Sequence, residues 1–212
     1  MNISIALKGL LGTAALTLPL MANAASTFTS GAGTISAAAT VNFTVVIPQF
    51  LYLRVGNGSA YAATPAVLST VATTDLITFS PAVGTVGNGT AVAGTGGDLT
   101  GGVETAAVVS NFGNVTLVAT ATGALSDGAG DSIPFTQITT AATQLNSTTP
   151  LPAPVLSNGT SSTVTLTAPA TKIITQDAKW TFSYANTVTA PSGTYGGTGA
   201  LNGTVTYTAT MP

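Results

Sequence analysis

The chain has 212 residues, of which only ten are charged (four Lys and Arg, six Asp and Glu), and it has no His and no Cys. A Ser-His-Asp triad, a histidine zinc site, thiol catalysis and iron–sulfur ligation are therefore excluded. The formal net charge of −2 is too weak for a nucleic-acid or acidic-lipid partner, and 41 Thr, 34 Ala and 24 Gly favour strands and turns over helices.

Lys8 is the only positive side chain before Arg54. An apolar stretch over residues 9–20 follows it, and Ala22 and Ala24 then form an A-x-A pattern. This order predicts a secretory signal peptide over residues 1–24, and hence a secreted, extracellular or cell-surface location reached through a bacterial periplasm. A dozen apolar residues are too few to cross roughly 30 Å of hydrocarbon, and no later run reaches the length of a membrane span. Residues 25–212 are expected to form one domain, with 25–39, around Gly31-Ala32-Gly33, as a flexible or strand-donating extension.

Period-two alternation then recurs along the chain. The first predicted strand is 40–47, with Val41, Phe43, Val45 and Ile47 on one face. The next, after Pro48, is 50–55, which carries Arg54, the only arginine; a carboxylate or backbone carbonyls at a sheet edge are its expected partners. Further strands are predicted over 76–79, 103–109, 114–121, 133–138, 162–168, 179–184 and 203–211. In 114–121, Val115, Leu117 and Ala119 oppose Thr116, Val118 and Thr120; in the last, Val205, Tyr207 and Ala209 alternate with threonines. Asn-Gly at 57–58, 88–89, 158–159 and 202–203 suggests type I′ turns. Residues 84–102 and 139–158 read as mobile loops by composition. Eight or nine short strands so punctuated predict an all-β fold, an immunoglobulin-like antiparallel β-sandwich.

The chemistry left to such a chain is narrow. The carboxylates Asp75, Asp98, Glu104, Asp127, Asp131 and Asp177 are scattered, whereas a glycosidase needs two across a cleft. The expectation is therefore a non-enzyme with no cofactor and no metal site; a two-carboxylate hydrolase requires two of the six to lie within about 10 Å. Asp127 and Asp131 flank a glycine turn, for which a hairpin is preferred over a calcium loop. Seven Asn-x-Ser/Thr sequences within 25–212, at Asn42, Asn57, Asn88, Asn114, Asn146, Asn158 and Asn202, read as a by-product of high Thr content and of turn-forming Asn, rather than as glycan acceptors. Trp180, Phe182 and Tyr184 alternate on one strand and are assigned to the core; exposed, they would instead make a sugar-binding platform. That platform defines the alternative function, a secreted carbohydrate-binding or adhesive module.

The run Val41-Asn42-Phe43-Thr44-Val45-Val46-Ile47-Pro48 leading into Phe50-Leu51-Tyr52-Leu53, and the ending Ala190-Pro191-Ser192-Gly193-Thr194-Tyr195 with Gly203-Thr204-Val205-Thr206-Tyr207-Thr208-Ala209-Thr210, resemble the two ends of cysteine-free fimbrial major subunits of the chaperone–usher kind. The turn from Asp127 to Pro134 has the same look, and related secreted surface β-sandwiches share these features. The resemblance implies a structural subunit of a surface fibre, assembled by β-strand edge complementation with related subunits or other copies and escorted by a periplasmic chaperone. A donated strand places alternate side chains in pockets, and the candidates at that spacing are Ile35, Ala37, Ala39 and Val41.

Overall fold

The computed structural model describes residues 26–57, 72–197 and 199–212. The signal-peptide reading falls outside the described residues. The chain divides into two units, Met1–Ile47 and Pro48–Pro212.

In the first unit, residues 26–47 form no strand or helix. The Thr27 hydroxyl donates to the Ala38 carbonyl at 2.7 Å and the Thr29 hydroxyl to Ser36 at 3.2 Å, so two extended legs run side by side around Gly31-Ala32-Gly33. Gly33 takes φ 106°, a left-handed value that the missing Cβ permits. The expected strand at 40–47 is not formed. Its alternation is intact, but a strand exists only when its backbone N–H and C=O groups meet a neighbour, and these residues make no ladder.

The second unit is all-β. Its strands, in chain order, are β1 (Leu51–Val55), β2 (Ile77–Thr78), β3 (Val92–Ala93), β4 (Thr95–Gly96), β5 (Val103–Ser110), β6 (Val115–Ala121), β7 (Leu125–Ser126), β8 (Ser132–Ile133), β9 (Ile138–Thr143), β10 (Val164–Leu166), β11 (Ile174–Tyr184) and β12 (Val205–Thr210). All pairings are antiparallel. One sheet runs β1–β5–β11, with β9 on the far side of β11 and β3 continuing the line of β5. The other is β10–β6–β12. Two small ribbons, β2–β4 and β7–β8, complete the set.

The core lies between the inner faces of the two main sheets. Val115, Leu117, Ala119 and Ala121 of β6 are buried while Thr116, Val118 and Thr120 face outward. From the first sheet Ala106, Val108, Ile174, Ala178, Trp180, Phe182 and Tyr184 meet them. Trp180 is fully buried, donates its indole N–H to the Leu151 carbonyl at 2.8 Å and lies 5.3 Å from the Tyr207 ring.

Several elements differ from the sequence reading. The predicted strand 133–138 is broken by a 3-10 turn at Phe135–Gln137, because Pro134 supplies no ladder N–H. Strand β9 starts there and takes the first residues of the supposed loop 139–158, and β3 and β4 lie within the other supposed loop. None of the Asn-Gly pairs described in full has the two positive φ values of a type I′ turn: Gly89 and Gly159 are positive without their Asn, and Asn202 without its Gly. Asn158 Oδ1 instead accepts from the Phe135 N–H and Asn88 Oδ1 from the Thr90 N–H. These asparagines fasten loops rather than close two-residue hairpins.

Leu117→Ala removes a fully buried side chain and is expected to cost about 2–5 kcal/mol, whereas Thr120→Ala on the outward face of the same strand costs less than about 0.5 kcal/mol. Urea denaturation of both variants checks this; equal losses would place the core elsewhere.

Candidate functional site

Two features of the second unit stand out among the described residues: a pair of unpaired strand edges and a partly buried group of charges. The edges belong to β1 and β12. Among the described residues, β1 pairs only with β5 and β12 only with β6, and the two strands lie against each other without a ladder. Leu51, Leu53 and Val55 of β1, with Val205, Tyr207, Ala209 and Met211 at β12, are only partly buried although they pack on the core. Apolar side chains at a seam, beside backbone edges outside any ladder, are what an added strand would cover.

The proposed donor residues Ile35, Ala37, Ala39 and Val41 all lie in the first unit, exposed and outside any strand. The bulkier set at the same spacing follows directly: Val41, Phe43, Val45 and Ile47 are 70%, 88%, 83% and 76% exposed. No charged residue occurs between Lys8 and Arg54, so nothing in this segment guards it against pairing.

The charged group sits where β1 ends. The Arg54 guanidinium donates to the carbonyls of Gly56 and Asn57 and lies 3.7 Å from the Asp98 carboxylate. Asp98 also accepts from the Thr105 N–H at 2.8 Å and from its hydroxyl. The Asp98 N–H donates to Glu104 at 3.1 Å, and the Asn57 N–H donates to Asp75. Glu104 stands opposite Trp180 in the ladder, which turns its carboxyl toward the core. Burial pushes its pKa up to about 7, opposed by the hydrogen bond from the Asp98 N–H and reinforced by the charges of Asp75 and Asp98.

Three of the six scattered carboxylates, Asp75, Asp98 and Glu104, thus converge, a proximity that sequence order concealed. The spacing required of a two-carboxylate hydrolase is met, but its cleft is not: the Asp98 side chain is 1% exposed and Glu104 is buried. The grooves found in this unit lie elsewhere, at 147–152 with 165–176 and at 136–140 with 153–156.

Asp127 accepts from the N–H groups of Ala129, Gly130 and Asp131 at 2.9, 3.2 and 3.0 Å, so the Asp127–Asp131 segment is the turn between β7 and β8. Those hydrogen bonds, led by the one from Ala129 and opposed by desolvation, hold its carboxyl below the usual range. No group of three or more acidic residues among those described is arranged to hold a metal ion. Trp180, Phe182 and Tyr184 are all buried, so this stripe is no sugar platform. Six of the seven Asn-x-Ser/Thr asparagines hydrogen-bond through their side chains to Thr73, Thr90, Ala168, Asp177, Phe135 and Ala124, each pinning a loop.

No protein-family model, curated protein or solved structure matches the chain.

Asp177 shows how strongly these anchors hold. It is 1% exposed and accepts from the Asn146 N–H at 2.9 Å, the Asn146 amide at 3.0 Å and the Ser147 N–H at 2.7 Å. Burial alone would raise its pKa, but the hydrogen bonds from Ser147 and Asn146 outweigh that and lower it. Asp177→Ala removes the acceptor of three hydrogen bonds from Asn146 and Ser147 and is expected to cost about 1–3 kcal/mol. A lowered carboxyl stabilises fully above its unfolded value of 3.8 and loses that stabilisation as pH falls through the folded value. Urea midpoints measured through this acid range should therefore fall more steeply in the wild type than in the variant.

Proposed function

We propose that this chain is a secreted, non-catalytic structural subunit of a bacterial surface fibre, built on an immunoglobulin-like sandwich and joined to its neighbours by β-strand edge complementation. The observation that supports this reading is the seam between β1 and β12, where two edges unpaired among the described residues border partly buried apolar side chains. An added strand would supply the missing ladder and cover that row, giving main-chain hydrogen bonds for affinity and alternate side chains for register.

The donor favoured by side-chain size is 41–47 of another copy, with Val41, Phe43, Val45 and Ile47 entering the seam and Asn42 and Thr44 turned outward. It shares Val41 with the smaller set Ile35, Ala37 and Ala39, and continues that set's period toward β1. Burying a Val, Ile or Phe side chain contributes about 1.5–3 kcal/mol, far more than an alanine, so the bulkier register dominates.

The test is the assembly state of the purified protein. The wild type should form concentration-dependent oligomers by light scattering, and Phe43→Asp with Val45→Asp should be monomeric with an unchanged circular dichroism spectrum. A synthetic peptide spanning 40–48 should block oligomer growth. A wild type that stays monomeric at about 100 μM, far above the Kd expected of a strand burying four such side chains, would overturn the reading. Oligomers that survive both substitutions would assign the contact to another surface.

A further inference from the structure

The charges gathered at the end of β1 are unbalanced. Arg54 is the one cation beside Asp75, Asp98 and Glu104, and its ion pair is with Asp98. Glu104 and Asp75 converge on one point: a Cβ placed on Gly56 would lie 2.5 Å from Glu104 Oε2 and 2.6 Å from Asp75 Oδ2. Two carboxyl groups brought this close repel when both are ionised, and a proton held between them removes that repulsion. The same Asp75 accepts from the Asn57 N–H, and the Asn57 amide donates to the Thr73 carbonyl at 2.8 Å, so the strip that carries Asp75 is tied to the end of β1 at this point.

We propose that Glu104 and Asp75 form a proton-dependent latch, in which a proton held between their carboxyl groups fastens the 72–76 segment to the end of the first sheet and its loss loosens that segment. No covalent bond changes; the proton passes to solvent. The groups acting on Glu104 are Asp75 from the 72–76 segment, Asp98 from the loop before β5, itself paired with Arg54 of β1, and Tyr207 on β12. The Tyr207 phenol is held neutral, its pKa raised by burial and by Glu104 itself. Once the proton leaves, two carboxylates repel, Glu104 from a buried position and Asp75 from an exposed one. The latch operates whether or not copies join through their edges.

The direction follows from a raised carboxyl. Its stabilising contribution is full below the unfolded value of 4.5 and is lost as pH rises through about 7. This is opposite in sign to Asp177, so the two can be told apart.

Glu104 is the only glutamate in the chain, so glutamate labelled with carbon-13 at the side-chain carboxyl gives a single resonance whose titration reads this group in the unaltered protein. The expected midpoint is near 7, moving down by about one pH unit or more in Asp75→Asn, where the repelling charge is gone. Hydrogen-exchange protection of the Asn57 amide should fall about tenfold or more between about pH 6 and pH 8, and this fall should vanish in Glu104→Gln. A Glu104 midpoint below about 5, protection that is flat across this range, or a fall that persists in Glu104→Gln would each overturn the latch.

Discussion

The fold depends on Trp180. Its side chain fills the space between a four-strand-wide sheet and a three-stranded one, and its neighbours on β11 are small or aromatic in alternation: Ala178 below, Phe182 and Tyr184 above. Strand β11 is paired along both edges, to β5 and β3 on one side and β9 on the other, so it cannot shift register without breaking both ladders. The indole N–H would be an unsatisfied donor there, and the Leu151 carbonyl accepts it. That bond places the long 144–158 segment across the core, where Leu151 and Leu156 are buried.

The loops are held by a second device, suited to a chain so poor in charge. Asn186, fully buried with φ 55°, accepts from the Gly87 N–H and donates to the carbonyls of Thr85 and Thr90. Asp177 does the same for 146–147, Asn158 for the turn at Phe135 and Asn114 for Ala168. Side-chain amides and carboxylates satisfy backbone groups that the sheets leave over. Salt bridges have little part in this: one is found among the described residues, between Arg54 and Asp98, and it is buried.

Both features of interest follow from the same scarcity. Edge strands usually carry lysine or another charge against unwanted pairing, and β12 alternates Thr with Val, Tyr and Ala instead. Four of the ten charged residues, Arg54, Asp75, Asp98 and Glu104, are drawn together at the end of β1, which leaves the edges still barer. An outward-facing charge would guard an edge; an inward-facing one such as Glu104 senses protons, because desolvation disfavours its ionised form.

How much of this was legible depended on range. Alternation in 114–121 and 203–211 marked the buried faces of β6 and β12, since a strand with one face in a core must alternate. The hairpin turn at Asp127 and the core placement of Trp180 were equally readable from local residues. Alternation in 40–47 misled, because it records what a strand would bury and not whether a neighbour is present. The Asn-Gly pairs misled because their side chains answer to distant backbone groups, as Asn158 does to Phe135. The convergence of Asp75, Asp98 and Glu104 had no local signal, for it depends on the β1–β5 ladder, the Gly56 N–H bonding the Thr105 carbonyl and the Asn57 N–H bonding Asp75. The sequence by itself determined an all-β chain, the inward faces of its main strands and the narrow range of chemistry left without His and Cys, because these follow from composition and period. Which edges stay open, which carboxylates meet and which asparagines pin which loops were decided by tertiary structure alone, because each depends on pairing between residues far apart in the chain.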